Sequence, residues 1–175
     1  TMGHEFSGII EAVGSNVTRF KVGDRVSVNP TLTHGQRSEY DDIYDGFSFI
    51  GLHCDGGFPD FANVPESAVY ALPETLTLET AALIEPTAVA VQAVKEGSLR
   101  LGDSVAIFGA GPIGLVTIAA AKAAGATTII ALDLSESRLE MAKAIGATHV
   151  VNSGKEDAVE AVRKIVPRGV DVTFE

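Results

Sequence analysis

The chain has 175 residues, of which 46% are hydrophobic and 21% charged, a composition typical of a folded domain and not of a disordered segment. No stretch approaches the roughly 20 apolar residues that a membrane-spanning helix needs, and the net charge of −10 argues against binding to nucleic acid or to an anionic membrane surface. A single cysteine, Cys54, excludes an internal disulfide framework and a four-cysteine zinc module within these residues.

The first half of the chain, to about residue 84, has the pattern of a β-rich fold. Short alternating segments, separated by glycine and proline, predict strands over residues 7–13, 24–29, 61–64 and 68–72. Between them, residues 30–57 form a long polar segment with several glycines, which predicts a functional or mobile loop.

From residue 85 onward, predicted helices and strands alternate. The helices cover residues 86–96, 112–124, 136–144 and 156–166, and the strands cover 105–108, 128–133, 149–152 and 170–175. Gly125 and Gly146 each end a helix just before a strand, where glycine favours a left-handed backbone. The central strands are apolar at consecutive positions, as in a parallel sheet covered on both faces. This order predicts an α/β fold with a doubly wound parallel sheet.

A glycine-rich loop follows the strand at 105–108 and begins the next helix. Gly109, Gly111 and Gly114 match the GxGxxG pattern of dinucleotide-binding folds. In that pattern the first glycine permits a tight turn, the second lets the backbone approach a pyrophosphate, and the third allows close helix–strand packing. The helix N-terminus adds free N–H groups and a positive dipole end, which together favour phosphate binding.

An acidic residue completes the dinucleotide pattern. Asp133 ends the next predicted strand, 19 residues after Gly114, where a carboxylate accepts hydrogen bonds from the ribose hydroxyls and repels the 2′-phosphate of NADP. We therefore expect NAD as the cofactor. Arg138, one helical turn further on, either stacks on or pairs with the adenosine end or is a solvated helix residue, and the spacing fits both.

Three residues are candidates for a metal site. His4 and Glu5 are ligand types that zinc accepts, but adjacent residues of a regular strand point to opposite faces, so both reach one ion only across an irregular stretch. Gly3 and Gly8 allow such a stretch. The alternative is an ordinary hydrogen-bonding pair. Glu85, in an apolar segment before a predicted helix, either satisfies N–H groups at the helix start or points into a cleft between the two halves.

These motifs together resemble the zinc-dependent medium-chain dehydrogenase/reductase family. The segments that carry the resemblance, in the family's order, are GHEFSGIIEAVGSNVTRFKVGDRV, GGFPDFANVP, LIEPTAVAVQAV and VAIFGAGPIGLVTIAAAKAAGA. Glu85–Pro86, in place of a cysteine ligand, is similar to the polyol branch of the family. The resemblance covers essentially the whole chain.

The resemblance implies a partial GroES-like catalytic domain over residues 1–84 and the first half of a Rossmann NAD-binding domain over residues 85–175. It implies hydride transfer between NAD and a secondary alcohol, a vicinal diol or polyol such as 2,3-butanediol or sorbitol, at one catalytic zinc. We also expect an internal fragment of a longer cytoplasmic protein that forms a homo-oligomer, either a dimer or a tetramer.

The family's site residues transfer to matching positions of this sequence. The zinc ligands would be an upstream cysteine, His4 and either Glu5 or Glu85, with the other carboxylate either supporting the ligands from behind or bridging through water to the substrate. The NAD site would include Pro112, Ile113, Asp133 and Arg138 beside the three glycines. Many relatives carry a four-cysteine structural zinc lobe where this chain has residues 30–57, and with only Cys54 there we expect that second zinc to be absent.

Two other functions fit parts of the pattern. In a zinc-free, quinone-reductase-like member of the superfamily, His4 and Glu5 would be structural residues. In a non-catalytic NAD-binding protein, the fold would persist without turnover.

Overall fold

A computed structural model describes residues 1–33 and 46–175. The chain forms two compact units, Thr1–Glu85 and Pro86–Glu175. Each unit has its own sheet and its own buried residues, so each is described by itself.

The first unit is built mainly from short strands. Its described residues form β1 (Ser7–Ile9), β2 (Arg25–Val28), β3 (Thr31–Thr33), β4 (Phe47–Phe49) and β5 (Val69–Ala71), with a 3₁₀ helix at Glu66–Ala68 and the four-residue helix α1 at Leu78–Ala81. β1, β2 and β5 form an antiparallel sheet with β2 in the middle, and β3 pairs with β4. Val28, Ile50 and Ala68 form the buried core of this unit.

The prediction of a strand at residues 61–64 is wrong. These residues adopt no regular structure, and Phe61 is 74% exposed. Pro59 and Pro65 flank the segment and supply no N–H group, so a ladder with a neighbouring strand is poorly supported at both ends. β3 and β4 lie inside the segment predicted as a loop. The rest of that prediction falls on residues 34–45, outside the described residues.

The second unit alternates helices and parallel strands, as predicted. Its elements are α2 (Ile84–Glu96), which begins in the last residues of the first unit, β6 (Ser104–Phe108), α3 (Pro112–Ala123), β7 (Thr128–Asp133), α4 (Glu136–Ile145), β8 (His149–Asn152), α5 (Ala158–Ile165) and β9 (Val172–Phe174). The strands form a parallel sheet in the order β8-β7-β6-β9.

Both faces of this sheet are covered. Val105 and Ile107 of β6 pack in one buried cluster with Ile118 of α3, while Ala106 between them packs in a second cluster with Val162 of α5. Successive strand residues point to opposite faces, which explains why the central strands are apolar at consecutive positions. The predicted doubly covered sheet is confirmed.

Helix α2 begins two residues earlier than predicted. The sequence pattern indicates a start at Pro86, but the helix begins at Ile84. Proline is tolerated in the first turn because N–H groups there have no partner within the helix. Glu85 therefore lies inside the first turn of α2, and its backbone is fixed by the helix.

Candidate functional site

The structure brings the three predicted metal ligands together. One ligand atom from each of His4, Glu5 and Glu85 lies within 4.8 Å of the others. Within residues 1–33 and 46–175, this is the one group of three or more such side chains with that spacing. All three belong to the first unit.

A bend in the chain lets two adjacent residues reach the same point. The backbone bends at Glu5, just before β1 begins, so His4 and Glu5 avoid the opposite orientations of a regular strand. Gly3, with φ of 104°, precedes the bend. The irregular stretch that the two ligands required is therefore present.

The backbone before His4 is anchored by a neighbouring segment. The N–H of Gly57 donates to the carbonyl of Gly3 at 2.8 Å, and the N–H of Phe58 donates to Met2 at 3.1 Å. On the other side, the ring of Phe49 meets the His4 imidazole edge to face, with centroids 5.4 Å apart. The hydrogen bonds hold the backbone before His4, and Phe49 packs against its imidazole. Nothing in the sequence indicated the contact with Phe49.

The electrostatics of this cluster favour a cation. Burial raises the pKa of Glu85, the nearby Glu5 carboxylate raises it further, and the His4 imidazole opposes both effects. Two carboxylates this close repel each other unless a positive charge lies between them. An imidazole with two carboxylates is also a donor set that zinc accepts, so the residues present fit a zinc ion.

The second candidate site lies at the carboxyl edge of the parallel sheet. Gly109 follows β6 with φ of 91°, and its N–H donates to the carbonyl of Leu132 in β7 at 2.8 Å. Pro112 then begins α3, with Gly111 as its N-cap. Among the described residues, no acceptor contacts the N–H groups of Ile113 and Gly114, so both are available to an anion.

Asp133 is held against the glycine loop. Its Oδ2 accepts from the N–H of Ala110 at 2.8 Å, and its Oδ1 accepts from the N–H of Ser135 at 2.8 Å. The Ser135 bond first, then the Ala110 bond and the nearby Arg138, hold the pKa of Asp133 below its usual range despite burial. The bond to Ser135 forms an Asx turn, which the order Asp133-Leu134-Ser135 could have indicated. The bond to Ala110 joins residues that are far apart in sequence, and no sequence pattern predicted it.

Arg138 lies beside this carboxylate. Its Nη1 is 3.7 Å from the Oδ2 of Asp133, and its side chain is 59% exposed. Both of the roles open for Arg138 are compatible with this position, and its contact with a cofactor stays a prediction.

The glycines of the loop serve different purposes. A Cβ on Gly114 would lie 1.9 Å from the carbonyl oxygen of Gly109, whereas a Cβ on Gly111 would meet nothing within 4 Å. Gly111 also has φ of −74° and ψ of −174°, which any residue adopts. The fold therefore requires glycine at 114 but not at 111, where the open space suits a bound ligand.

Comparison with known proteins identifies the family. The profile described as "Alcohol dehydrogenase GroES-like domain" matches residues 1–74, and that described as "Zinc-binding dehydrogenase" matches residues 112–175. The chain belongs to the zinc-dependent alcohol dehydrogenase family. Its first unit is a partial GroES-like domain, and its second unit is part of a Rossmann fold.

Individual relatives agree with this assignment. The chain is 46% identical over 177 residues to (R,R)-butanediol dehydrogenase and 44% identical over 180 residues to sorbitol dehydrogenase, both from Bacillus subtilis strain 168, with 100% and 99% of this chain covered. It spans about half the length of these relatives, 51% of each.

A solved structure of a Sinorhizobium meliloti 1021 protein, assigned to the zinc-binding dehydrogenases and bound to NADP, has a TM-score of 0.94. It is 35% identical over 99% of this chain and 53% of that one.

In the part of this chain that the structure describes, no helix is long and apolar enough to cross a membrane.

The two glycines give a matched pair of variants. We expect Gly114→Ala to lower the free energy of unfolding by about 1–3 kcal/mol, because the added methyl group overlaps the Gly109 carbonyl. Gly111→Ala should leave it within about 0.5 kcal/mol but weaken NADH binding, because the methyl group would occupy the space that the predicted pyrophosphate needs. Urea unfolding and NADH fluorescence titration measure the two effects. Equal destabilisation by both variants would contradict this division.

The Asp133 contacts predict a pH dependence. Because the folded state lowers the pKa of Asp133, its contribution to stability is complete above the unfolded pKa and is lost as the pH falls through the folded value. Below about pH 4, the wild type should therefore lose unfolding free energy more steeply than Asp133→Asn. Urea unfolding at several pH values tests this. Since the other carboxylates are common to both proteins, parallel curves would show that the Asp133 bonds add nothing.

Proposed function

We propose that this chain is part of a zinc- and NAD-dependent oxidoreductase. It would transfer hydride between NAD and a secondary alcohol, a vicinal diol or polyol such as 2,3-butanediol (with acetoin as product) or sorbitol. The observation that carries the proposal is the convergence of His4, Glu5 and Glu85 within 4.8 Å in a chain that also carries a glycine loop and Asp133.

The metal part of the proposal assigns roles to the three ligands. His4 would bind zinc through a ring nitrogen, and Glu5 or Glu85 would supply a carboxylate oxygen. A bound zinc ion supplies Lewis-acid chemistry, which stabilises the alkoxide form of an alcohol. The carboxylate that does not bind the metal would accept a hydrogen bond from the second hydroxyl of a vicinal diol, which explains why the site holds two. That the protein binds one catalytic zinc and no second, structural zinc stays a prediction.

The cofactor part depends on the second unit. The free N–H groups of Ile113 and Gly114 would bind the pyrophosphate, with Gly111 allowing close approach. Asp133 would accept hydrogen bonds from the ribose hydroxyls and repel a 2′-phosphate, which supports NAD. The Sinorhizobium structure holds NADP, so selectivity in this protein depends on Asp133 and its neighbour Arg138 and not on the family alone.

The metal cluster favours this proposal over the alternatives. A zinc-free reductase has no requirement for two carboxylates beside an imidazole, and a non-catalytic NAD-binding protein has no requirement for any of the three residues. The homologous dehydrogenases named for butanediol and sorbitol support the polyol substrate class. Homo-oligomer formation and a cytoplasmic location stay predictions.

The experiment uses the full-length protein encoded by the gene. We expect NADH formation from 2,3-butanediol stereoisomers or sorbitol, and loss of that activity after treatment with a zinc chelator. Glu85→Gln should lower kcat/KM by roughly 10- to 100-fold, the usual cost of disturbing a metal environment. Glu79→Gln, at an exposed position on α1, is the control and should resemble the wild type.

Metal content and turnover are measured together for each variant. Chelator-indifferent activity would move the protein to the zinc-free reductases. Full turnover and full zinc content in Glu85→Gln would remove the role assigned to that residue. Bound zinc without turnover on any alcohol would favour the non-catalytic protein.

A further inference from the structure

The candidate metal ligands come from two chain segments that are far apart in sequence. His4 and Glu5 lie just before β1, whereas Glu85 follows α1 and lies in the first turn of α2. A metal site tolerates displacements of only a few tenths of an ångström. Some contact must therefore hold the α1 segment in place relative to β1.

Two serines on neighbouring strands donate hydrogen bonds to α1. The hydroxyl of Ser7 in β1 donates to the carbonyl of Leu78 at 2.6 Å, and the hydroxyl of Ser27 in β2 donates to the carbonyl of Ala81 at 3.5 Å. Ser7 and Ser27 are directly opposed in the β1–β2 register, so they share one face of the sheet. These bonds join the two ends of α1 to the sheet.

Arg25 extends this row of donors along β2. It lies two residues before Ser27, on the same face, and its guanidinium donates to the carbonyls of Glu74 at 3.1 Å and Leu76. The sheet thus binds the chain from residue 74 to residue 81 through its backbone carbonyls. Because backbone carbonyls are present whatever the side chain, this docking fixes position and does not depend on the residues docked.

A purely structural surface would not need this chemistry. Ser27 is 3% exposed, a position that an alanine or valine would ordinarily fill in a strand of this kind. The Leu78 carbonyl already accepts from the N–H of Ala82 at 3.0 Å, so the Ser7 hydroxyl adds a second hydrogen bond to an oxygen that has a partner. The Ser7 bond is therefore not required to satisfy the helix, and its effect is to fix where α1 packs on the sheet.

We propose that Ser7 is a positioning residue for the metal site. It lies two residues after Glu5, and its hydroxyl ties β1 to the helix that leads to Glu85, which fixes the separation of the two ligand-bearing segments. Ser27 is a second, longer tie to the same helix. This role depends on the metal site of the proposed function, so the test separates the two.

A matched pair of variants isolates the hydroxyl. Threonine and valine have nearly the same shape and both favour strands, but only threonine can donate. In the full-length protein, Ser7→Thr should bind zinc as the wild type does, whereas Ser7→Val should bind roughly five- to tenfold more weakly, the effect of one hydrogen bond. Competition with a coloured chelator measures the affinity.

A spectroscopic measurement separates positioning from general stability. With cobalt in place of zinc, the visible absorption bands report the ligand geometry. Ser7→Val should shift these bands, and Ser7→Thr should restore the wild-type spectrum. Urea unfolding of the metal-free proteins supplies the comparison, because a merely structural serine would change stability without changing the bands.

The outcomes are distinct. Wild-type affinity and wild-type cobalt bands in Ser7→Val would overturn the positioning role and leave the proposed function intact. A wild-type protein that binds neither zinc nor cobalt would contradict the proposed function and, with it, the role of Ser7. Weaker binding with shifted bands in Ser7→Val alone supports the proposal.

Discussion

The organisation of the first unit depends on holding two carboxylates beside one imidazole. Glu5 and Glu85 repel each other, and burial makes the charge of Glu85 costlier. A fold keeps such an arrangement only if backbone geometry enforces it or a cation offsets it. The bend at Glu5, the hydrogen bonds to the backbone of Gly3 and Met2, and the helix that carries Glu85 supply the enforcement. The proposed divalent metal would supply the compensating charge.

The first unit has a candidate site for a cation, and the second unit has one for an anion. Its glycine loop presents unpaired N–H groups at the start of α3, which is a site for an anion. Asp133 spans the same edge and is tied to the loop through Ala110, so the groups expected to contact phosphate and ribose form one rigid set. A nucleotide here would bind to a surface prepared before it arrives, which reduces the ordering cost of binding.

Sequence patterns predicted the second unit well because the features that define its elements, apolar strands and glycines at helix ends, each lie within a short segment. The continuous apolar strands indicated a sheet covered on both faces, and Gly125 and Gly146 end their helices with positive φ, as expected. The first unit was harder. Its strands are three or four residues long, and residues 61–64 have the alternation of a strand without forming one. The residue types of the metal cluster could be predicted, but the choice between ligand and ordinary hydrogen-bonding pair could not.

The contacts that bring the cluster together could not be predicted from the sequence. Ser7 and Leu78 are 71 positions apart, and no sequence pattern links the two. The same holds for Phe49, whose contact with His4 depends on how β3 and β4 pack. Long-range contacts of this kind follow from the tertiary structure alone, and they decide whether three suitable residue types become one site.

X-ray absorption at the zinc edge of the full-length protein tests the central claim most directly. We expect one zinc per chain in this site, with an imidazole nitrogen and carboxylate oxygen at about 2.0–2.2 Å, and loss of the imidazole signal in His4→Ala. Absence of zinc, or a zinc whose ligand shell is unchanged by His4→Ala, would contradict it.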